Sequence, residues 1–445
     1  MRRAIALLLV ALSLGCAARE AATVPSTPTP AHATPPSATP APQPLVRANA
    51  TPAPPPAPSA VPAFRRVVSP AGTAEDAGEP SVAVDPRTGA VLYQANLETL
   101  RVDLANGTWK EVAPRTTTLH SEDPILALDA ATGRAFVSQL MADCSILAWS
   151  DDDGATWTTN PLGCGAGTGF DHQTVGGGKD AVYYCSHDTI TTSCAASTNG
   201  GLTFLPAVPV NTAAVCDPTG PGHVRVGADG TAYVPERGCH GQKDQGFAMT
   251  TDGGRTWTQR FLAGVGSQSE SDSAIALDAA DRLYFCFQDG QGRAGVVTTS
   301  DRGLTWSAPV DLGAPFGIQN TQFEVAVAGD AGKAACAFLG TPTPGDDQAA
   351  GFDGTWKLYV AFTWDAGAHW TTVDAAPDDV VQQGCVYLGG NFGPPCRNLY
   401  DFMDAAVLPD GRVIVGYADG DVEGQRATKG VIAEQVAGPG LVSKA

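Results

Sequence analysis

The chain has 445 residues, is rich in glycine (51) and proline (34), and carries 46 acidic against 27 basic side chains, a formal charge of −19. That excess of carboxylate excludes functions that rest on nucleic-acid phosphates or anionic membrane surfaces, because both would be repelled. Residues 64–445 suffice for one large all-β domain, and no helical periodicity of useful length follows residue 20.

The chain opens MRRAIALLLVALSLGC. Arg2 and Arg3 form a positive start, and Ala4 to Leu12 form an apolar stretch too short to span a membrane as a mature helix. Ending at Gly15-Cys16, residues 1–16 resemble a bacterial lipoprotein signal with Cys16 as the lipidated residue. The alternative is ordinary secretion, with cleavage after Ala18 and a soluble product. Residues 17–63 are almost wholly Ala, Pro, Thr and Ser, a composition that cannot bury a core and reads as an extended tether. The tether would carry a folded domain at 64–445, so the first expectation is an exported chain held at the cell envelope by a lipid.

Within the domain, an apolar strand, a polar turn and a second apolar strand recur seven times. These pairs start near Glu79, Glu122, Asp171, Gly222, Asp272, Phe323 and Phe402. After most of them comes an octet: SDDDGATW from Ser150, STNGGLTF from Ser197, TTDGGRTW from Thr250, TSDRGLTW from Thr299 and TWDAGAHW from Thr363. A fixed octet returning about every fifty residues marks a repeat architecture. Each copy reads as a hairpin turn between outer strands. Asp152, Asn199, Asp252, Asp301 and Asp365 are expected to bond main-chain N–H groups a residue or two ahead. The glycine of each copy supplies a positive φ, and the closing aromatic ring enters the layer beneath. The segment around Trp109 reads as a decayed sixth copy, and Phe64 to Ser69 as the strand that closes the ring by pairing with the C-terminus.

The octets resemble the Asp box, or bacterial neuraminidase repeat, over roughly residues 75–436; the copy at Thr363 departs from the pattern with His369 in the Thr place. The resemblance implies an all-β fold, an Asp-box β-propeller, with seven four-stranded blades by the count above, or six if the Gly-rich third pair is not a blade. Asp-box propellers include sialidases, sortilin-type receptors, xyloglucanases and photosystem assembly factors, so the motif names a fold and leaves the chemistry open.

Eleven cysteines minus Cys16 leave ten, an even number in an exported chain, which suggests disulfides. Local pairs are Cys144–Cys164, Cys185–Cys194, Cys216–Cys239 and Cys385–Cys396. Cys286 and Cys336 occupy equivalent strands of neighbouring repeats and are either bonded or two small buried hydrophobes. No Cys/His group has zinc spacing, and neither a metal nor a cofactor is expected.

Propeller sites lie where the inner strands begin. The residues at those positions are Glu79, Asp123, Asp171, His223, Asp272, Glu324 and Asp404. Six of the seven are acidic. Either they form a site for a cation, sugar hydroxyls or a basic group, or each caps a strand start or bonds the next blade's backbone. Sialidases bind the substrate carboxylate with three Arg and use an acid/base carboxylate and a Tyr nucleophile paired with Glu. The family's Phe-Arg-Ile-Pro string is represented here only by Phe64-Arg65-Arg66-Val67. The residues that could stand in for the catalytic set are Arg225, Arg237, Arg397, Tyr400 and Asp401, the last three at the end of the longest insertion. The functional expectation is a monomeric cell-surface module that binds a glycan or an envelope protein. The alternatives are a glycoside hydrolase and an assembly factor for an envelope complex.

Overall fold

The structure, a computed structural model, describes residues 60–114, 123–141, 144–160, 171–188, 190–267, 271–387, 396–420 and 428–443. Cys16, nearly all of the 17–63 tether and the Cys164 half of the expected Cys144–Cys164 pair lie outside these residues.

The strands form seven antiparallel sheets, each with four strands on its main path. The inner strands, in chain order, are Ser81–Val84, Ile125–Asp129, Asp171–Gly177, Arg225–Val226, Ala274–Leu277, Asn320–Ala328 and Asp404–Val407. Each lies beside the next, and the seventh lies beside the first, so the sheets are blades of a closed seven-bladed propeller. Six blades run outward in chain order, and the sixth carries a short extra strand, Gln382–Gln383. The seventh blade takes its outermost strand, Ala63–Val68, from the start of the domain, paired antiparallel to Lys429–Ala437. This is the closure expected from FRRVVS, and it removes the two edges an open sheet would expose.

Each octet sits between the third and fourth strands of a blade. In the second blade Ser150 Oγ donates to Asp152 Oδ1 (2.8 Å) and accepts from the N–H of Gly154 (2.9 Å). Asp152 accepts from both the N–H (2.8 Å) and the hydroxyl (2.7 Å) of Thr156. The same pattern recurs at Asp252 and Asp301, and at Asn199 with its amide donating to Thr203 Oγ1. At the fifth copy the His369 ring replaces the Thr hydroxyl, 2.6 Å from Asp365. The acid therefore reaches four residues ahead rather than one or two. The nearer N–H groups are already taken by the leading Ser or Thr hydroxyl, so the carboxylate spans the whole loop. Gly154 shows why the glycine is needed: φ is +83°, and a Cβ there would press on Val112 of the preceding blade at 2.9 Å.

The octet aromatics pack backward onto the preceding blade. Trp257 meets Tyr183 edge-on at 6.0 Å and Trp306 meets Phe247 at 5.8 Å. Trp306 Nε1 also donates to the Phe261 carbonyl (3.3 Å). Burial of a large apolar side chain is worth roughly 1.5–3 kcal/mol, so these rings hold blade to blade as well as strand to strand.

Among the described residues there are four disulfides: Cys185–Cys194, Cys216–Cys239, Cys286–Cys336 and Cys385–Cys396. The third resolves the alternative left open by the sequence, and it ties the second strands of the fifth and sixth blades together. Such bonds suit an oxidising, extracellular setting.

Along the axis runs a channel of about 360 Å³, walled largely by Ala, Val, Leu and Gly; Arg225 and Asp404 are the charged residues on its wall. Because the strands alternate in direction, the octets lie on the face opposite the one where inner strands begin.

Candidate functional site

The inner strands begin on one face, and their lead-in residues are mostly buried: Glu79, Asp123, Asp272, Glu324 and Asp404 are each under 9 % exposed. The chain turns into several strands through a left-handed residue, at Glu79, Asp123, His172 and Phe323. This conformation leaves main-chain N–H groups pointing sideways, where the neighbouring blade's side chain accepts them. The N–H of Asp123 donates to Glu79 Oε2 (3.0 Å), and that of His172 donates to Asp123 Oδ2 (3.1 Å). Val82 N–H donates to Asp404 (3.3 Å), and Phe323 N–H to Ser271 Oγ (2.9 Å). Glu79 also accepts from the N–H of Asp401 (3.1 Å). Part of the acidic ring thus stitches blade to blade.

Two positions depart from the expected register; in the sixth inner strand an irregularity between Gln322 and Val325 makes Phe323, not Glu324, the left-handed lead-in. A bulge between Asp171 and Thr174 in the third inner strand puts His172 where an acid stands in the first two blades. Its Nε2 lies 2.6 Å from Asp272 Oδ2, and the other oxygen of Asp272 accepts from Arg237 Nη1. Burial alone would lower the His172 pKa, but the Asp272 carboxylate outweighs it and raises the imidazole to about 9. Burial likewise opposes ionisation of Asp272, yet His172 and then Arg237 hold it below its ordinary value. His223 stands farther from its nearest acid, with Nδ1 4.0 Å from Asp404, and burial, reinforced by Arg225, pushes it down to about 3.

The carboxylates divide in the same way. Burial drives Glu79 and Asp123 well above the usual range; nearby acids add to this, while His172 opposes it at Asp123. Asp171 is less deeply buried; burial pushes it up, but the hydrogen bond it shares with Asp123 and the nearby His187 and His172 hold it below its ordinary value. Burial lifts Glu324 to about 7 despite the hydroxyl of Ser271 donating to it, and lifts Asp404 to about 6 against the pull of Arg225. His223, Arg225, Asp272, Glu324 and Phe402 line a cavity of about 20 Å³, room for about one water-sized group.

The proposed stand-ins for a sialidase set are all on this face, and each of the three arginines is matched to an acid. Arg225 Nη2 lies 3.4 Å from Asp404, Arg237 pairs with Asp272 and more distantly with Asp217 (3.6 Å), and Arg397 grips Asp401 with both Nη atoms. Tyr400 packs its ring against the Gly78 backbone, where no Cβ would fit, and Arg397 stands 5.5 Å from the ring centroid.

Sequence reasoning missed His172, the hub of the network, and with it His187, whose pKa burial and His172 lower. The bulge that moves His172 into place has no sequence signature, although the His beside the expected Asp171 was a visible hint. Asp123, His172 and Asp401 each bring one donor atom within 4.8 Å of the others, a grouping hidden by their distance along the chain.

No protein-family model matches the chain, and no curated protein matches it in sequence. Among solved structures it is similar to the GH74 enzyme of Niastella koreensis, with 18 % identity and a TM-score of 0.49 over 80 % of this chain and 53 % of that one. The chain thus spans about half the length of that enzyme. It is similar to the Hadza microbial sialidase Hz136, with 15 % identity and a TM-score of 0.41 over 84 % of this chain and 68 % of that one. It is also similar to a fungal alcohol oxidase in complex with copper, with 13 % identity and a TM-score of 0.52 over 84 % of this chain and 76 % of that one. At such identities a likeness speaks to fold alone, and the fold is a seven-bladed β-propeller.

Proposed function

We propose that the chain is an exported propeller, anchored through Cys16, whose inner-strand face binds a glycan or an envelope protein, and that it is not an exo-sialidase. The observation that carries this reading is the pairing of Arg225, Arg237 and Arg397 with Asp404, Asp272 and Asp401. A substrate carboxylate would have to take these guanidiniums from partners already in place. Breaking one buried ion pair costs about 3–5 kcal/mol, more than one exposed contact returns. Hydrolysis of a fluorogenic sialoside by the wild type, lost in Arg397→Ala, would overturn the reading. Saturable binding to an immobilised glycan without hydrolysis supports it. Incorporation of a labelled fatty acid, lost in Cys16→Ala, tests the anchor.

One observation favours a second reading, a glycoside hydrolase of other specificity. Glu324, raised to about 7, and Asp272, held low, line the same cavity. Two carboxyl groups with diverging protonation are what an acid and its partner carboxylate need.

A further inference from the structure

We propose that Asp123, His172 and Asp401 form a site for one divalent transition-metal ion of the Mn²⁺ or Zn²⁺ kind. Their donor atoms all lie within 4.8 Å of one another. An ion held at about 2.0–2.2 Å from each in tetrahedral geometry sets its donors about 3.4 Å apart, so these atoms close from separations of up to 4.8 Å when it binds. The donors come from the lead-ins to the second, third and seventh inner strands, so the ion would clasp three blades.

One nitrogen of the imidazole is held by a carboxylate. Its Nε2 is engaged by Asp272 at 2.6 Å, which leaves Nδ1 as the donor nitrogen. A carboxylate behind a histidine is the arrangement that fixes its tautomer and strengthens it as a ligand. Acidic side chains outnumber basic ones here. Glu79, Asp123, Asp171, Asp272 and Asp401 gather around two guanidiniums, Arg237 and Arg397, and one imidazole. Asp401 is shared with Arg397, but a carboxylate has about four lone-pair positions and can bridge a guanidinium and an ion.

A separate observation points to a ligand here. Gln173 is 1 % exposed, and its amide lies against Asp123, with Nε2 donating to the Asp123 carbonyl. Its Oε1 meets no hydrogen-bond partner among the described residues. A buried amide oxygen without a donor is costly, and on the residue that follows His172 it is one more hard oxygen the chain carries at this point. One nitrogen among oxygens suits Mn²⁺ or Zn²⁺ better than Ca²⁺ or Mg²⁺, which take oxygen.

The test is metal content and titration calorimetry on the full chain after chelator treatment and dialysis, with Mn²⁺, Zn²⁺, Mg²⁺ and Ca²⁺ as probes. The expected result is one Mn²⁺ or Zn²⁺ per chain, with Mg²⁺ and Ca²⁺ at least about ten-fold weaker. Asp272→Asn keeps all three donors and should weaken binding by roughly 10–100-fold, as loss of an outer-shell partner does. His172→Asn keeps a residue that tolerates the left-handed backbone and should abolish the nitrogen coupling in the spin-resonance spectrum of bound Mn²⁺. Asp401→Asn serves if the His172 variant does not fold. Failure of the wild type to take up either ion overturns the proposal, as does undiminished uptake by both His172→Asn and Asp401→Asn. Neither result depends on whether any glycan binds or is cleaved.

Discussion

The two faces of the propeller solve opposite problems with the same residue types. On the octet face, Asp152, Asp252 and Asp301 are near solvent, and each is satisfied by hydroxyl and N–H donors of its own loop. Those donors hold the carboxylates below their ordinary values, to about 2 for Asp252 and Asp301. On the mouth face, acids are buried, share partners across blades and are driven apart in protonation. An acid with a private set of donors is a structural pin. An acid that must share counter-charges is sensitive to a proton or an ion.

The contrast is sharpest for Asp272. Asp272→Ala would strand His172 and Arg237 in the interior, and an orphaned buried charge costs about 3–5 kcal/mol; denaturant unfolding measures it. If the loss is instead below about 1 kcal/mol, the mouth is as locally satisfied as the octets and the comparison fails.

Trp306→Ala removes an inter-blade ring and should cost about 3 kcal/mol, somewhat less than a fully buried Trp, because Trp306 is only partly covered. The same unfolding experiment reads it.

Glu324 gives a pH test. Its pKa is raised from 4.5 to about 7, so the unfolded chain ionises first. Stability contributed by this group is complete below pH 4.5, falls as pH rises toward 7 and is flat above. Glu324→Gln, neutral throughout, should remove that slope; an unchanged profile would place the titration elsewhere. His172 works at higher pH. Its pKa is raised from 6.5 to about 9, so its contribution is full below pH 6.5 and is lost as pH climbs through 9.

The smallest effect is expected from Asp252→Ala, which removes exposed hydrogen bonds and should cost about 1 kcal/mol. A much larger loss would mean that the octets carry long-range structure as well as their own turns.

Much of the fold was legible because its signals are local. An octet needs only eight consecutive residues to declare a turn, and a strand pair needs only its alternation and its Gly. Closure by FRRVVS was also readable, since seven blades left one strand short. The mouth was legible only in part. Glu79, Asp123 and Asp404 could be placed from their positions ahead of apolar strands. Their partners could not, because Glu79 meets Asp401 and Arg225 meets Asp404 only after the ring closes.

The sequence by itself determined the blade and its repeat and narrowed the count to seven or six, because these rest on contacts between near neighbours in the chain. Only the tertiary structure decided that a bulge makes His172 the centre of the mouth, that Cys286 and Cys336 join two blades, and that three arginines are already matched by acids. Each of these depends on residues brought together by ring closure, and no local pattern encodes a distance across the ring.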